Sequence, residues 1–291
     1  MRIPIFTDEV SSFGGWHGHQ LSQAFAKQQV EAVFVSLKDC VLDFSGNKPA
    51  VDIPHFDGLP KAAFVRGIAG GSLQQVTTRL NVLHILNKLG VQIYNDGKAI
   101  ERTVDKGMTS FLLLQAGIST PKTWVCESRQ MAHQIINQRP QLVIKPLFGS
   151  QGLGVRLVDK LKSPLPMDTF VDGVYYLQAF IRAKHDYRVF LVNHQPVSAM
   201  RRMGEGWLHN VAQGAKCEFS KDSDVLDIAV RASKALDIAY CGVDVIRDEN
   251  DQLLVLEVNS IPAWRGLQKV SELNIAQTLA DDFLKKLATQ I

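Results

Sequence analysis

Two carboxylates and an amide mark the part of the 291-residue chain best suited to chemistry. Asp244, Glu257 and Asn259 lie in Y-C-G-V-D-V-I-R-D-E-N-D-Q-L-L-V-L-E-V-N-S-I-P-A-W-R-G, from Tyr240 to Gly266. Val243, Val245, Leu253, Leu254, Val255, Leu256 and Val258 are strand formers around a polar turn at Asp248–Gln252, a pattern that predicts a β-hairpin. A loop centred on Asn250-Asp251 puts Asp244 directly opposite Glu257. Their Cβ atoms would then lie ~5 Å apart on one face, where like charges repel. Asn259, two residues further on, shares that face. Hard oxygen donors on rigid strands suit a divalent cation. Mg²⁺ fits best, because it takes one or two carboxylates and leaves its other positions to water and phosphate. The alternative is a solvated hairpin whose acidic pair is accidental.

Other residues gain meaning from their setting. Lys145 lies in V-I-K-P-L, within a strand predicted over Leu142–Leu147, and a charge in an apolar strand needs a partner. F-G-S-Q-G-L-G-V follows, then a strand over Val155–Asp159. G-S-Q-G-L-G matches neither a phosphate-binding G-x-x-x-x-G-K-[ST] loop nor a dinucleotide fingerprint, and no helix follows it. A glycine turn between strands can lay backbone N–H groups over phosphates, or it can be a flexible hairpin. Alternation in D-Y-R-V-F-L-V puts Asp186 and Arg188 on one face, where they could equally be a structural pair. Arg201 and Arg202 point to opposite faces if extended, so only one of them acts directly.

The elements that must position these groups read as follows. Arg2–Phe6, Glu31–Leu37, Ala62–Ile68 and Val91–Tyr94 are strands. Leu21–Gln28 is a helix, and Leu73–Leu89 has apolar residues at helical spacing. This alternation predicts a small parallel α/β unit to about residue 95. Ser11–His19 is expected to be a glycine-rich loop carrying Trp16, His17 and His19 at the ligand-binding end of the first strand. Further helices are expected over Thr103–Ala116, with Asp105 and Lys106 in the first turn, over Ser128–Gln138, Asp222–Leu236 and Ile275–Leu287. Strands are expected over Lys122–Cys126, Val174–Ile181, Asp186–Val192 and Gln195–Met203. Met203–Gly214 reads as a polar loop.

Composition bounds the rest. The chain is 46% hydrophobic and 21% charged, with a net charge of +3 and no long basic run. Nothing there suggests binding of nucleic acid by charge alone. The four cysteines, Cys40, Cys126, Cys217 and Cys241, form no C-x-x-C. That argues against a zinc site or a disulfide framework and fits a reducing cytoplasm. MRIPIFTDEV has no apolar core of signal length, and no stretch is long enough for a membrane helix. The expectation is a cytoplasmic protein with neither membrane nor nucleic-acid partner.

The order of the pieces is more specific than any one of them. T-V-D-K (Thr103–Lys106), V-I-K-P-L-F-G-S-Q-G-L-G-V (Val143–Val155), Y-L-Q-A-F-I (Tyr176–Ile181), D-Y-R (Asp186–Arg188), M-R-R (Met200–Arg202), G-V-D-V (Gly242–Val245) and L-E-V-N-S-I-P (Leu256–Pro262) follow one another. This resembles the ATP-grasp superfamily, and within it the RimK-like α-L-glutamate ligases, over about residues 95–290. The resemblance implies an α/β (α+β) architecture: a pre-ATP-grasp domain over 1–95, a small ATP-grasp subdomain over 96–185 and a large one over 186–291. It implies an ATP-dependent ligase that joins a carboxylate to an amine through an acylphosphate. Lys106 and Lys145 would reach the ATP phosphates, covered by Gly149, Ser150, Gln151, Gly152 and Gly154. Gln178, Ala179, Phe180 and Ile181 would be the hinge that holds adenine through backbone groups, and Asp186 would bind the ribose. Asp244, Glu257 and Asn259 would hold two Mg²⁺ (or Mn²⁺), and Asn210 would face the triphosphate. Arg201, Arg202 and Arg188 would serve the acylphosphate or a substrate carboxylate, as a guanidinium fork can.

Two departures shape the expected substrate. The hinge usually carries Glu where this chain has Ala179. After Asn259 the family runs small-small-Pro-Gly, but this chain has Ser260-Ile261-Pro262-Ala263-Trp264-Arg265-Gly266. Trp264 could stack on a flat ring and Arg265 could pair with an anion; alternatively, Trp264 merely packs the loop. A bulky cationic loop favours a small carboxylate acceptor, such as a pterin-type or other cofactor precursor, that receives glutamate or a similar amino acid. The competing expectations are a ligase acting on a protein or peptide terminus, and a non-catalytic ATP-binding protein. This fold often forms dimers or tetramers, so a homo-oligomer is allowed.

Overall fold

A computed structural model describes residues 1–139, 141–147, 154–159, 173–183, 185–204 and 216–289. The N-terminal unit runs β1 (Arg2–Phe6), α1 (Gly15–Lys27), β2 (Glu31–Val35), a small hairpin of β3 (Val41–Asp43) and β4 (Ala50–Asp52), then β5 (Ala62–Val65), α2 (Leu73–Lys88) and β6 (Gln92–Tyr94). The β2-β1-β5-β6 sheet is parallel throughout. Helix α2 starts at a reciprocal cap: Ser72 Oγ accepts the Gln75 N–H, and Gln75 Oε1 accepts the Ser72 N–H. The β3–β4 hairpin is made of two three-residue strands, too short for an alternation pattern to announce.

Helix α1 corrects one expectation. Residues 16, 17 and 19 belong to its first turns and not to a loop. Gly14 enters the helix at φ 73°, and a Cβ on Gly18 would collide with the Phe13 carbonyl. The glycines therefore serve a tight helix entry and not a mobile loop.

The middle of the chain runs α3 (Gly97–Val104), α4 (Lys106–Gln115), β7 (Thr123–Cys126), α5 (Arg129–Asn137), β8 (Gln141–Lys145), β9 (Arg156–Asp159) and β10 (Tyr175–Ala179). The helix expected over Thr103–Ala116 is broken at Asp105, which ends α3 and caps α4 by accepting the Gly107 and Met108 N–H groups. The antiparallel sheet has the order β7-β10-β8-β9 and packs Leu142, Ile144 and Leu177 against Ala132 and Ile136 of α5.

The last unit is a five-stranded antiparallel sheet of order β13-β12-β11-β14-β15, from β11 (His185–Val192), β12 (Gln195–Met203), β13 (Lys216–Phe219), β14 (Tyr240–Arg247) and β15 (Leu253–Asn259). Helix α6 (Ser223–Ala235) lies between β13 and β14, and α7 (Arg265–Gln268) and α8 (Ile275–Thr289) follow β15. One sheet face (Tyr187, Val189, Leu191, Val243, Val245, Val255) packs on α6 and on Ala99 and Leu113 of α3 and α4. The other face is apolar at Phe190 and Met200, where it shares a core with the N-terminal sheet, Trp264 and α8. It turns charged at Asp186, Arg188, Arg202 and Asp244. Asn95, fully buried, joins the units: its Nδ2 donates to the Tyr240 and Ser260 carbonyls at 2.7 Å each, and its Oδ1 accepts the Tyr240 N–H.

Candidate active site

Strands β14 and β15 place Asp244 opposite Glu257, and Gly242 opposite Asn259. The register near the turn is offset by one residue, pairing Val245 with Val255 and Arg247 with Leu253. An irregularity after Asp244 leaves Leu256 as the extra residue and restores the facing carboxylates. Asn259 Nδ2 donates to Glu257 Oε1 at 2.9 Å. Gly242 is needed here, because a Cβ on it would come within 2.9 Å of Pro262 Cβ. The loop after Asn259 thus lies down on β14.

Arginines hold the buried end of the set. Arg188 donates to both oxygens of Asp244, Nε to Oδ1 and Nη2 to Oδ2, each at 2.7 Å. Arg202 Nη2 is 3.3 Å from Asp244 Oδ2, while its Nε donates to Asp186 Oδ1 at 2.6 Å. Burial pushes the Asp244 carboxyl up, but Arg188 and Arg202 outweigh it and hold the group well below the ordinary carboxylate range. Asp186 goes the other way: burial, helped by the nearby Asp244 charge, raises it to about 6 against the pull of Arg202 and, more weakly, Arg188. The pair of Asp186 and Arg188 allowed by strand alternation does not form; each takes a partner on a neighbouring strand.

Two lysines approach the open side, where the Glu257 side chain is 32% exposed. Lys145 ends β8 and donates to Gln178 Oε1 at 2.7 Å, which answers how a charge sits in an apolar strand. Gln178 is itself fixed, donating to Thr123 Oγ1 and Tyr176 OH. Lys106, the first residue of α4, donates to the Leu147 carbonyl at 3.0 Å. Burial lowers the pKa of both lysines, and Glu257 opposes that shift in both. Lys106, Lys145 and Glu257 therefore share one electrostatic neighbourhood, although they come from three separate elements.

Several expected site residues lie elsewhere. Arg201 is on the opposite sheet face, paired with Glu218 at 2.8 Å and 40% exposed, so Arg202 is the member of the pair on the carboxylate face. Asp186 is sealed against Arg202 within the sheet; a ribose would have to displace a buried guanidinium. Trp264 is fully buried, with its ring 4.6 Å from His17 and 5.9 Å from Phe190, so it packs the loop and offers no face to a flat substrate. Arg265 is exposed at the start of α7. The Ala179 N–H is taken by the Lys122 carbonyl, while Phe180 and Ile181 line a cavity of about 280 Å³ with Gln141, Arg182 and the hairpin turn Asp248–Asn250. Gly154 sits at φ 74°. Gly149, Ser150, Gln151, Gly152 and Asn210 lie outside the described residues, as does most of the polar loop expected over Met203–Gly214. His17, expected at the ligand-binding end of β1, instead accepts the Trp264 N–H on its Nε2 at 3.1 Å; a partner 247 residues away leaves no local signal in the sequence.

Glu257 and Asn259 fit a hard cation: a half-exposed carboxylate beside an amide whose oxygen is not spent on Glu257. Asp244 fits that role where Arg188 yields an oxygen. Among the described residues no three His, Cys, Asp or Glu converge as a metal cluster, so the candidate set is two carboxylates plus an amide. No described helix is long and apolar enough to cross a membrane.

A family model described as a RimK-like ATP-grasp domain matches residues 103–283. The chain is 32% identical over 306 residues to a tetrahydromethanopterin:alpha-L-glutamate ligase of Methanococcus maripaludis, covering 98% of each chain. It is 38% identical over 239 residues to the ligase of the same name from Methanocaldococcus jannaschii, covering 76% of this chain and 78% of that one. A solved structure of the ATP-grasp ligase PsnB, complexed with minimal precursor, Mg and ADP, matches with a TM-score of 0.73 over 98% of this chain and 97% of that one, at 18% identity. At that identity the likeness is one of fold.

Proposed function

The chain belongs to the RimK-like ATP-grasp family of ligases, and we propose that it adds glutamate, or a similar amino acid, to a small-molecule carboxylate acceptor of the pterin or related cofactor-precursor type. The observation that carries this reading is the convergence of Lys106, Lys145 and Glu257 from α4, β8 and β15, beside Asp244 and Asn259. The end-to-end likeness to a ligase named for a pterin acceptor supports the substrate class.

The reaction balances without a nucleophilic side chain. A carboxylate oxygen of the acceptor attacks the γ-phosphorus of ATP, the bond to the β-phosphate oxygen breaks, and ADP leaves an acylphosphate. The amine then attacks the acyl carbon, loses a proton to solvent, and expels phosphate as the amide forms. Such transfer depends on positioning and charge neutralisation. Lys106 and Lys145 serve the polyphosphate. Burial lowers both pKa values, with Lys145 adding to the shift in Lys106 and Glu257 only partly offsetting it in each; a tetra-anion would relieve that setting. Glu257 and Asn259, with Asp244, would hold Mg²⁺, which supplies charge neutralisation when bound. Phe180 and Ile181, at the hinge cavity, would hold the adenine. Arg202, and Arg188 if it exchanges Asp244 for substrate, would serve the acylphosphate.

Purified protein with Mg²⁺-ATP tests this across a panel of amino acids, with and without pterin and other small carboxylate acceptors. ADP release stimulated by glutamate plus one acceptor, with a mass increase of one glutamyl unit on that acceptor, is expected. ATP binding with no release under any combination overturns the reading. Mass gained by a polypeptide instead moves the acceptor to the protein class.

A further inference from the structure

The parallel sheet has its topological switch between β1 and β5, where the chain leaves β1 for β2 on one side and later returns to β5 on the other. Ligands of open α/β sheets bind outside the carboxyl ends of the strands at such a point. Arg66 is the first residue beyond β5, with its N–H bound to the Phe6 carbonyl at the end of β1. Its guanidinium carbon lies 5.2 Å from the centroid of the Trp264 ring. Two donors meet here without acceptors: Arg66 Nε and Trp264 Nε1 are both shielded from solvent and make no hydrogen bond. Arg66 makes no ion pair among the described residues; Asp8 and Glu9 act on it only at longer range. His17, the nearest imidazole, is kept neutral and already accepts the Trp264 backbone N–H. Arg265, the first residue of α7 and five residues beyond Ser260, adds a second cation near His17.

Arg66 is half-buried, and its shielded Nε is a donor left unpaired at a cost; two neighbouring orphaned donors share one remedy, an acceptor oxygen. Building on the ligase reading above, we infer that Arg66, with the Trp264 indole N–H, takes a carboxylate of one of the two organic substrates where the carboxyl ends of the parallel sheet meet the loop that follows Asn259. Planar oxygens suit the guanidinium fork, and the group bound here is the substrate's handle rather than its reacting end.

Arg66→Met keeps a flexible apolar stem over Trp264 and removes the charge; Arg66→Lys keeps the charge and loses the fork. The first measurement is titration calorimetry of L-glutamate and of folate, a pterin bearing carboxylates, against wild type and both variants in Mg²⁺-ADP. One probe should bind wild type and lose on the order of 10- to 100-fold in affinity with Arg66→Met, with a partial loss in Arg66→Lys. Which probe is affected tells whether the amino acid or the acceptor is held. ADP affinity should hold, and the unfolding midpoint of Arg66→Met should not fall, because no native partner is orphaned. Equal binding in wild type and Arg66→Met overturns the inference. So does failure of both probes to bind wild type, which would mean that water satisfies the donors. Turnover by wild type with unchanged KM values in Arg66→Met sinks the Arg66 assignment alone. Arg66-dependent binding without any turnover sinks the ligase reading alone.

Discussion

Arg188 grips both oxygens of Asp244 from the neighbouring strand, at 2.7 Å on each side, and leaves Glu257 as the more open carboxylate of the facing pair. The two side chains are 15% and 8% exposed, so the pair is largely removed from water. Losing one partner of such a pair strands the other charge at about 3–5 kcal/mol. Arg202, 3.3 Å from the same carboxylate, retains part of the compensation. Arg188→Met should therefore destabilise the protein by about 3 kcal/mol in urea unfolding without nucleotide. Restoring neutrality with Asp244→Leu in the same chain should recover part of that loss. A single variant as stable as wild type would show that the pair contributes nothing to folding.

Glu257→Gln separates chemistry from folding. Glu257 faces the like charge of Asp244 but also lies 3.8 Å from Arg188 and near Lys106 and Lys145, so the repulsion and attractions lost on neutralising it offset, and the unfolding midpoint should change little. The same change removes an anionic oxygen donor from the candidate cation site. Mg²⁺-dependent ADP release should drop on the order of 10²-fold or more. Thermal unfolding and turnover measured on one preparation check both halves. Undiminished turnover would remove Glu257 from the cation site.

His17 gives the acid limb of the stability profile a specific source. Burial, then Arg66 and Arg265, lower its pKa from 6.5 to about 3. Between those values the unfolded chain binds a proton that the folded one refuses, so stability rises with pH across that window and is lost on acidification. His17→Gln keeps an acceptor for the Trp264 N–H but cannot titrate. Denaturant titrations between about pH 4 and 6.5 should show the slope of stability against pH reduced by up to about one proton in the variant. Identical slopes would mean that His17 titrates near its ordinary value in the fold.

What the sequence made legible follows from the range of each interaction. Asp244, Glu257 and Asn259 fall on one face because alternation and a short turn are local rules, and Lys145 betrayed itself as a charge between Ile144 and Pro146. The bulge at Leu256 was not visible, although it is what keeps the carboxylates opposed: the turn registers one residue away from the expected centre. The break at Asp105 hid inside an apolar periodicity that runs across both helices, since a capping aspartate looks like any first-turn acid. Arg201 was separable from Arg202 by parity alone, but which of the two faced the site required the sheet. Trp264 was beyond reach, because its environment is made by His17 and Arg66, from the far end of the chain.

Trp264 is where the structure changes the expected experiment. An exposed stacking residue would affect acceptor use alone on truncation. This one is fully buried, with His17, Phe190 and Trp16 rings around it and Arg66 above. Trp264→Ala should open a cavity at about 3–5 kcal/mol. The loop it anchors begins one residue after Asn259, so ATP-dependent and acceptor-dependent parameters should deteriorate together. Trp264→Phe keeps a packed aromatic ring and loses the fused five-membered portion with its indole N–H, which has no partner within the protein. It should lose far less stability than the alanine variant. Urea midpoints for the two variants, set beside their KM values for ATP and acceptor, decide the matter. An alanine variant as stable as wild type, with only acceptor use impaired, would return Trp264 to the substrate surface.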